Sequence, residues 1–309
     1  MRNSFIKHVT QAAYEDSSIY LITGDMGFSV LEIFQNAFPN RYINAGIAEQ
    51  NMISMAAGLA MAGKNVFVYS TVPFVTMRCF EQIRINICYQ KLPIKLIGVG
   101  GGFSHGPMGV THHSTEDVSI MRVLPGMTIV APGSKHELDL LAHDIIAYPE
   151  PIYLRITKTQ ETVVYPENNT VQLGKALEII PSDTYLLATT SSALDLGYNI
   201  CHELRSIGID IGLVSLHTIK PIDINYFLEK QKTLKGIFTL EEHLLIGGIG
   251  EALSYIICTQ FNKKIIFKSF GINDIYPHKI GTRAYLLENF GLTQENISTA
   301  IKQNLQECT

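Results

Sequence analysis

Residues 49–70 read EQNMISMAAGLAMAGKNVFVYS, and the fold turns on this stretch. Glu49–Ala62 is small and apolar in a helical pattern, and Val66–Ser70 is a continuous apolar run of strand length. The same alternation recurs outward in both directions. Strand-length runs stand at Ile19–Thr23, Ile94–Val99, Thr128–Ala131 and Ile152–Ile156, with helical stretches at Arg2–Tyr14, Phe74–Tyr89 and Lys135–Ala147. Short apolar strands alternating with helices predict a parallel sheet covered on both faces. A polar stretch around 157–173 reads as a linker. Beyond it the pattern restarts, with strands at Tyr185–Thr189, Ile209–Ser215, Gly236–Thr239 and Ile265–Lys268, and helices at Ser191–Ile207 and Gly250–Phe261. The expectation is two doubly wound α/β domains, 1–165 and a smaller 166–309.

Composition agrees with that size and narrows the class. The chain has 309 residues, 46% hydrophobic and 17% charged, enough apolar content for large cores. A net charge of −4 gives no basic footprint for nucleic acid. No apolar run approaches the roughly eighteen residues of a membrane span, and the N-terminus lacks a signal-peptide core. Five cysteines, an odd number without paired spacing, suggest neither disulfides nor a zinc site. A cytoplasmic protein is expected.

Three features could carry chemistry. Glu49 is a lone carboxylate opening an apolar helix, where the dipole favours its charge and burial would oppose it. Read from the residues alone, it is first a helix-start carboxylate that satisfies backbone N–H groups. Gly98–Gly109 (GVGGGFSHGPMG) lacks the lysine of a phosphate-binding Walker loop and reads as a flexible active-site loop. His112 and His113 follow it, and adjacent residues on an extended segment point to opposite sides, so one of them enters a site. The contiguous spacing of His112, His113, Glu116 and Asp117 suits no common metal site, and none is expected on this chain.

The string Asn44–Met52 (NAGIAEQNM), followed by AAGLAMAGKNVFVYST, resembles the pyrimidine-binding domain of transketolases and deoxyxylulose-phosphate synthases. The resemblance continues through Lys91–Pro132, then LEEHLLIGGIGEAL and IGTRAYLLENFGL, so it spans nearly the whole chain. It implies thiamine diphosphate as cofactor, with Glu49 binding N1′ of the aminopyrimidine. Protonation there favours the tautomer that takes the proton from the thiazolium carbon, and the cofactor serves as electron sink. Phe74 and Phe80 are the aromatics implied to pack on the pyrimidine, with Ile47 beside them, although a Phe/Met stripe at this spacing is ordinarily a core face. Arg78 is implied to contact substrate, with a surface ion pair as the alternative. The histidine after Thr in the matching string is His112, implied to transfer protons, and His105 is placed toward the substrate. Arg2, Ser29 and Arg155 match positions that grip the sugar phosphate. His243 reads as structural, and Thr282 with Arg283 as holding a loop or an anion. One departure concerns selectivity. Gly106–His112 (GPMGVTH) carries no acid where transketolases have an aspartate that recognises a sugar hydroxyl.

The resemblance covers only the pyrimidine and C-terminal domains. The single Gly-Asp, in Gly24-Asp25-Met26, is not followed by the rest of a G-D-G…Asn diphosphate motif. A separate N-terminal subunit is therefore expected to hold Mg2+ and the diphosphate, in an α2β2 assembly acting on a sugar phosphate or related ketose. Two other enzymes fit the size and order: the beta subunit of a 2-oxoacid dehydrogenase component, and a synthase acting on pyruvate. The non-enzyme alternative is a scaffold that keeps the fold.

Overall fold

The structure, a computed structural model, describes residues 1–157, 162–167 and 169–307, so the expected linker falls partly outside the described residues. The strands of the first part are β1 (Ile19–Thr23), β2 (Tyr42–Asn44), β3 (Asn65–Thr71), β4 (Lys95–Val99), β5 (Thr128–Val130) and β6 (Ile152–Ile156). Those of the second are β7 (Leu177–Ile180), β8 (Tyr185–Thr189), β9 (Ile211–Ser215), β10 (Thr218–Lys220), β11 (Gly236–Leu244) and β12 (Ile266–Ile272). They form two sheets, ordered β10-β5-β6-β4-β3-β1-β2 and β12-β11-β8-β9-β7. All pairings are parallel except β10 with β5 and β7 with β9.

The burial pattern explains the parallel arrangement. Along β3, Val66 and Val68 join one core cluster while Phe67 and Tyr69 join another, so both faces are covered. The helix Arg2–Glu15 contributes Phe5, Ile6, Val9 and Ala13 to one cluster. The helix Glu49–Met61 contributes Met52, Ile53, Ala56 and Ala57 to the other. Each fully buried large apolar side chain stabilises by roughly 1.5–3 kcal/mol. Ser134 caps the helix Lys135–Ala147 by accepting from Glu137 N at 3.2 Å, while Glu137 reaches back to Gly133 N at 2.6 Å.

In the sheet β1 lies between β2 and β3, so the chain crosses from one side of β1 to the other, the arrangement that leaves a crevice at the carboxyl ends of such strands. The segments that leave β1, β2, β3 and β4 carry most of the residues singled out above.

Several elements differ from expectation, and three of them bear on the site and the joint between the halves. The single helix expected over Phe74–Tyr89 is instead Val72–Val75, then turns, then Phe80–Gln82 and a π-helical Ile83–Cys88. The break swings Arg78 toward the start of another helix, a demand no local pattern encodes. Strand β11 runs on through Glu241, Glu242 and His243, because those polar side chains find buried partners. Strand β10 is too short to show as a periodic run, yet it places a piece of the second half at the edge of the first sheet. There Lys220 Nζ donates to the carbonyls of Arg122 and Leu124.

Candidate active site at the carboxyl edge of the first sheet

Glu49 is the first residue of its helix and is 4% exposed. A turn built by Asn44 sets its approach. Asn44 Oδ1 accepts from Asp25 N (3.0 Å) and Gly46 N (2.9 Å), and its Nδ2 donates to Asp25 Oδ1 at 3.0 Å. Asn44 was missed as a positioning residue, although its place in the family-like string was a usable signal. Arg78 Nη1 donates to Glu49 Oε2 at 2.6 Å, and Gln50 Nε2 donates to the Arg78 carbonyl. The guanidinium is 43% exposed and lies over the Phe74 ring, 4.4 Å from its centroid.

The row continues past Phe74. Its ring meets His112 edge-on at 5.2 Å, and His112 meets His105 at 6.3 Å. His112 Nδ1 pairs with Thr111 Oγ1 at 2.9 Å, while His113 turns the other way, its Nε2 paired with the Gly106 carbonyl at 3.0 Å. Glu49, Arg78, Phe74, His112 and His105 thus form one chain of successive neighbours. His105 lies over Gly100, whose φ of +94° and missing side chain make room for the ring. Burial lowers the His105 pKa, as do neighbouring His112, Arg2 and His113 to a smaller extent, so the imidazole is biased toward its neutral form.

Beside His105 opens a cavity of about 790 Å³, lined by Arg2, Lys7, Gly100, Ser104, His105 and Thr157 among others. Arg2 is the first residue of the helix Arg2–Glu15, as expected. Ser29 is exposed, takes a φ of +62° and is not part of that lining. Phe80 is half-buried and packs against the core, away from the ring row. Ile47, two residues before Glu49 in the chain, is 80% exposed.

Two sequence readings are corrected here. Arg155 does not face a phosphate: it is 2% exposed and paired with buried Asp117 at 2.8 Å. Its remaining N–H groups go to Ser191 Oγ and the carbonyls of Ser114 and Glu242, so an anion would have to displace Asp117. Nor is the glycine-rich segment a loose loop, because bonds across its base hold it (Gly102 N to Ser114 O, 2.8 Å; Ser114 N to Gly102 O, 3.0 Å). Among the described residues, no group of three His, Cys, Asp or Glu side chains is placed to hold a metal ion, and no helix is long and apolar enough to cross a membrane.

The residues fit an aminopyrimidine. A nearly buried carboxylate can share a proton with a ring nitrogen, an aromatic face stands next to it, and Gly24 leaves the space beside Glu49 free of a side chain.

Fold and site together define a two-domain α/β protein with its working edge at the carboxyl ends of the first sheet. The transketolase pyrimidine-binding domain family matches residues 1–162, and the transketolase C-terminal domain family matches 174–297. The chain belongs to the transketolase family, for which thiamine diphosphate dependence is implied. It is 31% identical to a "Putative transketolase C-terminal section" of Methanocaldococcus jannaschii, over 99% of this chain and 96% of that protein. It is also 31% identical to one of the subunits of an apulose-4-phosphate transketolase of Phocaeicola vulgatus, over 96% of this chain and 94% of that one. A solved structure described as "Split gene transketolase, inactive beta4 tetramer" superposes with a TM-score of 0.86 at 27% identity, over 99% of this chain and 97% of that one.

Proposed function

We propose that this chain is the pyrimidine-side subunit of a split transketolase-type enzyme that moves a two-carbon ketol unit from a ketose-like sugar to an aldehyde acceptor. The observation that carries it is the succession of neighbours Glu49–Arg78–Phe74–His112–His105, standing at the sheet edge of a transketolase-family fold. Thiamine diphosphate, when bound, supplies the electron sink. Glu49 holds the proton at the ring nitrogen N1′, and Phe74 offers its face to the ring, with Ile47 and Phe80 nearby in the chain. His112 handles protons at the substrate oxygens, and His105, biased to its neutral form, accepts one at neutral pH. Arg2 in the cavity beside His105 meets the anionic end of the sugar, with Ser29 as a second candidate contact. A partner chain brings Mg2+ and the diphosphate contacts, giving an α2β2 assembly in the cytoplasm.

The sugar is unusual rather than an ordinary pentose phosphate. This reading rests on the acid missing before His112, and a relative of similar length is described as part of an apulose-4-phosphate transketolase. Losing one hydrogen bond to a substrate hydroxyl weakens discrimination by about 1–3 kcal/mol. Arg78, which pairs with Glu49 and matches an arginine of deoxyxylulose-phosphate synthases, favours one second reading: synthase-like chemistry on pyruvate.

The test is reconstitution with an N-terminal transketolase subunit that carries the G-D-G motif. The two-chain enzyme should transfer ketol units from some member of a panel containing xylulose 5-phosphate, other ketose phosphates and pyruvate. If pyruvate alone gives the carboligation product, ketol transfer is wrong and the synthase-like reading replaces it.

A further inference from the structure

The segment carrying His105 and His112 leaves β4 at Val99 and closes at Ser114. What fixes it in between comes from the second domain. Glu242 on β11 is 3% exposed, and its Oε1 accepts the Phe103 backbone N–H at 2.6 Å. Its Oε2 accepts from Ser192 Oγ (2.8 Å), Arg283 Nε (2.8 Å) and Arg283 Nη2 (2.6 Å). Gly102, at φ +62°, leaves the space that this carboxylate fills. The Phe103 ring stacks on Phe290, centroids 5.5 Å apart at 24°. Gly106 packs against the Gly281 carbonyl and the Arg283 amide. Arg283 opens the helix Arg283–Asn289, which Thr282 caps by accepting from Tyr285 N, and it also donates to the Ser192 carbonyl.

A carboxylate this deep is costly unless every lone pair is met, and Arg283 with Ser192 already supplies its charge and hydrogen-bond partners on one oxygen. The other oxygen is given to a backbone amide of the first domain, two residues before His105. Gly102, Phe103 and Gly106, on either side of that histidine, are thereby all met by second-domain groups.

We propose that Glu242, held by Arg283, is a positioning residue for the loop 100–113, so that the second domain sets where His105 and His112 stand. That these histidines act on substrate rests on the function proposed above; the clamp itself does not.

The experiment uses the full chain, alone and in the two-chain enzyme. Glu242→Ala should speed amide hydrogen exchange over 100–113 by about tenfold or more, while β1, β3 and β8 exchange as in the parent. Glu242→Gln keeps an acceptor for Phe103 N–H and should fall between the two. In the two-chain enzyme, with the donor of the panel above that it turns over fastest, kcat should drop by about tenfold or more while thiamine diphosphate affinity stays within about threefold. Unchanged loop exchange overturns the proposal, as does acceleration spread evenly over both sheets. If Glu242→Ala does not fold, Arg283→Lys carries the same readouts. If the parent enzyme turns over no member of the panel, the functional reading fails by itself and the exchange pattern still decides the clamp.

Discussion

Glu49 and Arg155 show how differently two charged residues of one sheet edge are used. Glu49 is nearly buried and pairs through one oxygen with a half-exposed arginine that lies over Phe74, so a ligand reaches the carboxylate only beside or in place of that arginine. Glu49→Gln keeps the shape and an acceptor but cannot share the proton. In the two-chain enzyme with saturating cofactor, kcat should fall by at least about a hundredfold with Tm nearly unchanged, on the scale of a removed acid–base group. An unaltered kcat contradicts the assignment. Arg155, by contrast, is locked to Asp117 and Ser191. Removing one partner of a buried pair strands the other charge, at about 3–5 kcal/mol. Arg155→Met should therefore lower the urea midpoint of the chain alone. A variant with unchanged stability and a raised donor KM would restore the phosphate reading.

At the scale of elements, the loop after β4 matters more than any regular helix. Gly100 adopts φ +94° beneath the His105 ring, and an alanine there meets both a disfavoured backbone and that ring. The backbone term alone is about 1–2 kcal/mol. Gly100→Ala should displace His105 and reduce kcat while the sheets stay intact, as circular dichroism and activity measured together would show. Full activity in a folded variant would mean that the placement of His105 over Gly100 is unimportant. The broken helix 72–88 belongs to the same scale. Its apolar pattern is helical, yet the helix breaks at the residues around Arg78, which meets Glu49.

Across the whole molecule, the two halves interlock through β10 and through polar groups buried at the joint. His217 lies there, fully buried, and burial lowers its pKa from 6.5 to about 4. The folded state keeps it neutral, whereas the unfolded chain protonates it near pH 6.5. Its contribution to stability is complete above that value and is lost as pH falls toward 4, by about 2 kcal/mol at pH 5. Urea unfolding of the parent and His217→Gln at pH 7.5 and 5.0 should show a smaller acid loss in the variant, and equal losses would refute this. Isothermal titration addresses the partner. The chain alone should not bind thiamine diphosphate with magnesium at sub-micromolar affinity, and such binding would remove the reason to invoke a second subunit.

The sequence by itself determined the alternation of strands and helices, the two α/β halves, the helix that Glu49 opens and the family resemblance. These are periodic or contiguous signals, readable because neighbours along the chain carry them. The reading of His112 and His113 as pointing to opposite sides assumed an extended segment, whereas residues 110–112 form a turn in which both backbone N–H groups donate to the Gly109 carbonyl. Only the tertiary structure decided the destination of Arg155, the extension of β11 through Glu241, Glu242 and His243, the break that turns Arg78, and the strand that the second half lends to the first sheet. In each case a charged or polar group takes its meaning from a partner dozens of residues away. Burial makes such a pairing obligatory, because an unpaired charge in the interior costs several kcal/mol, but nothing in the local pattern says which partner will be there.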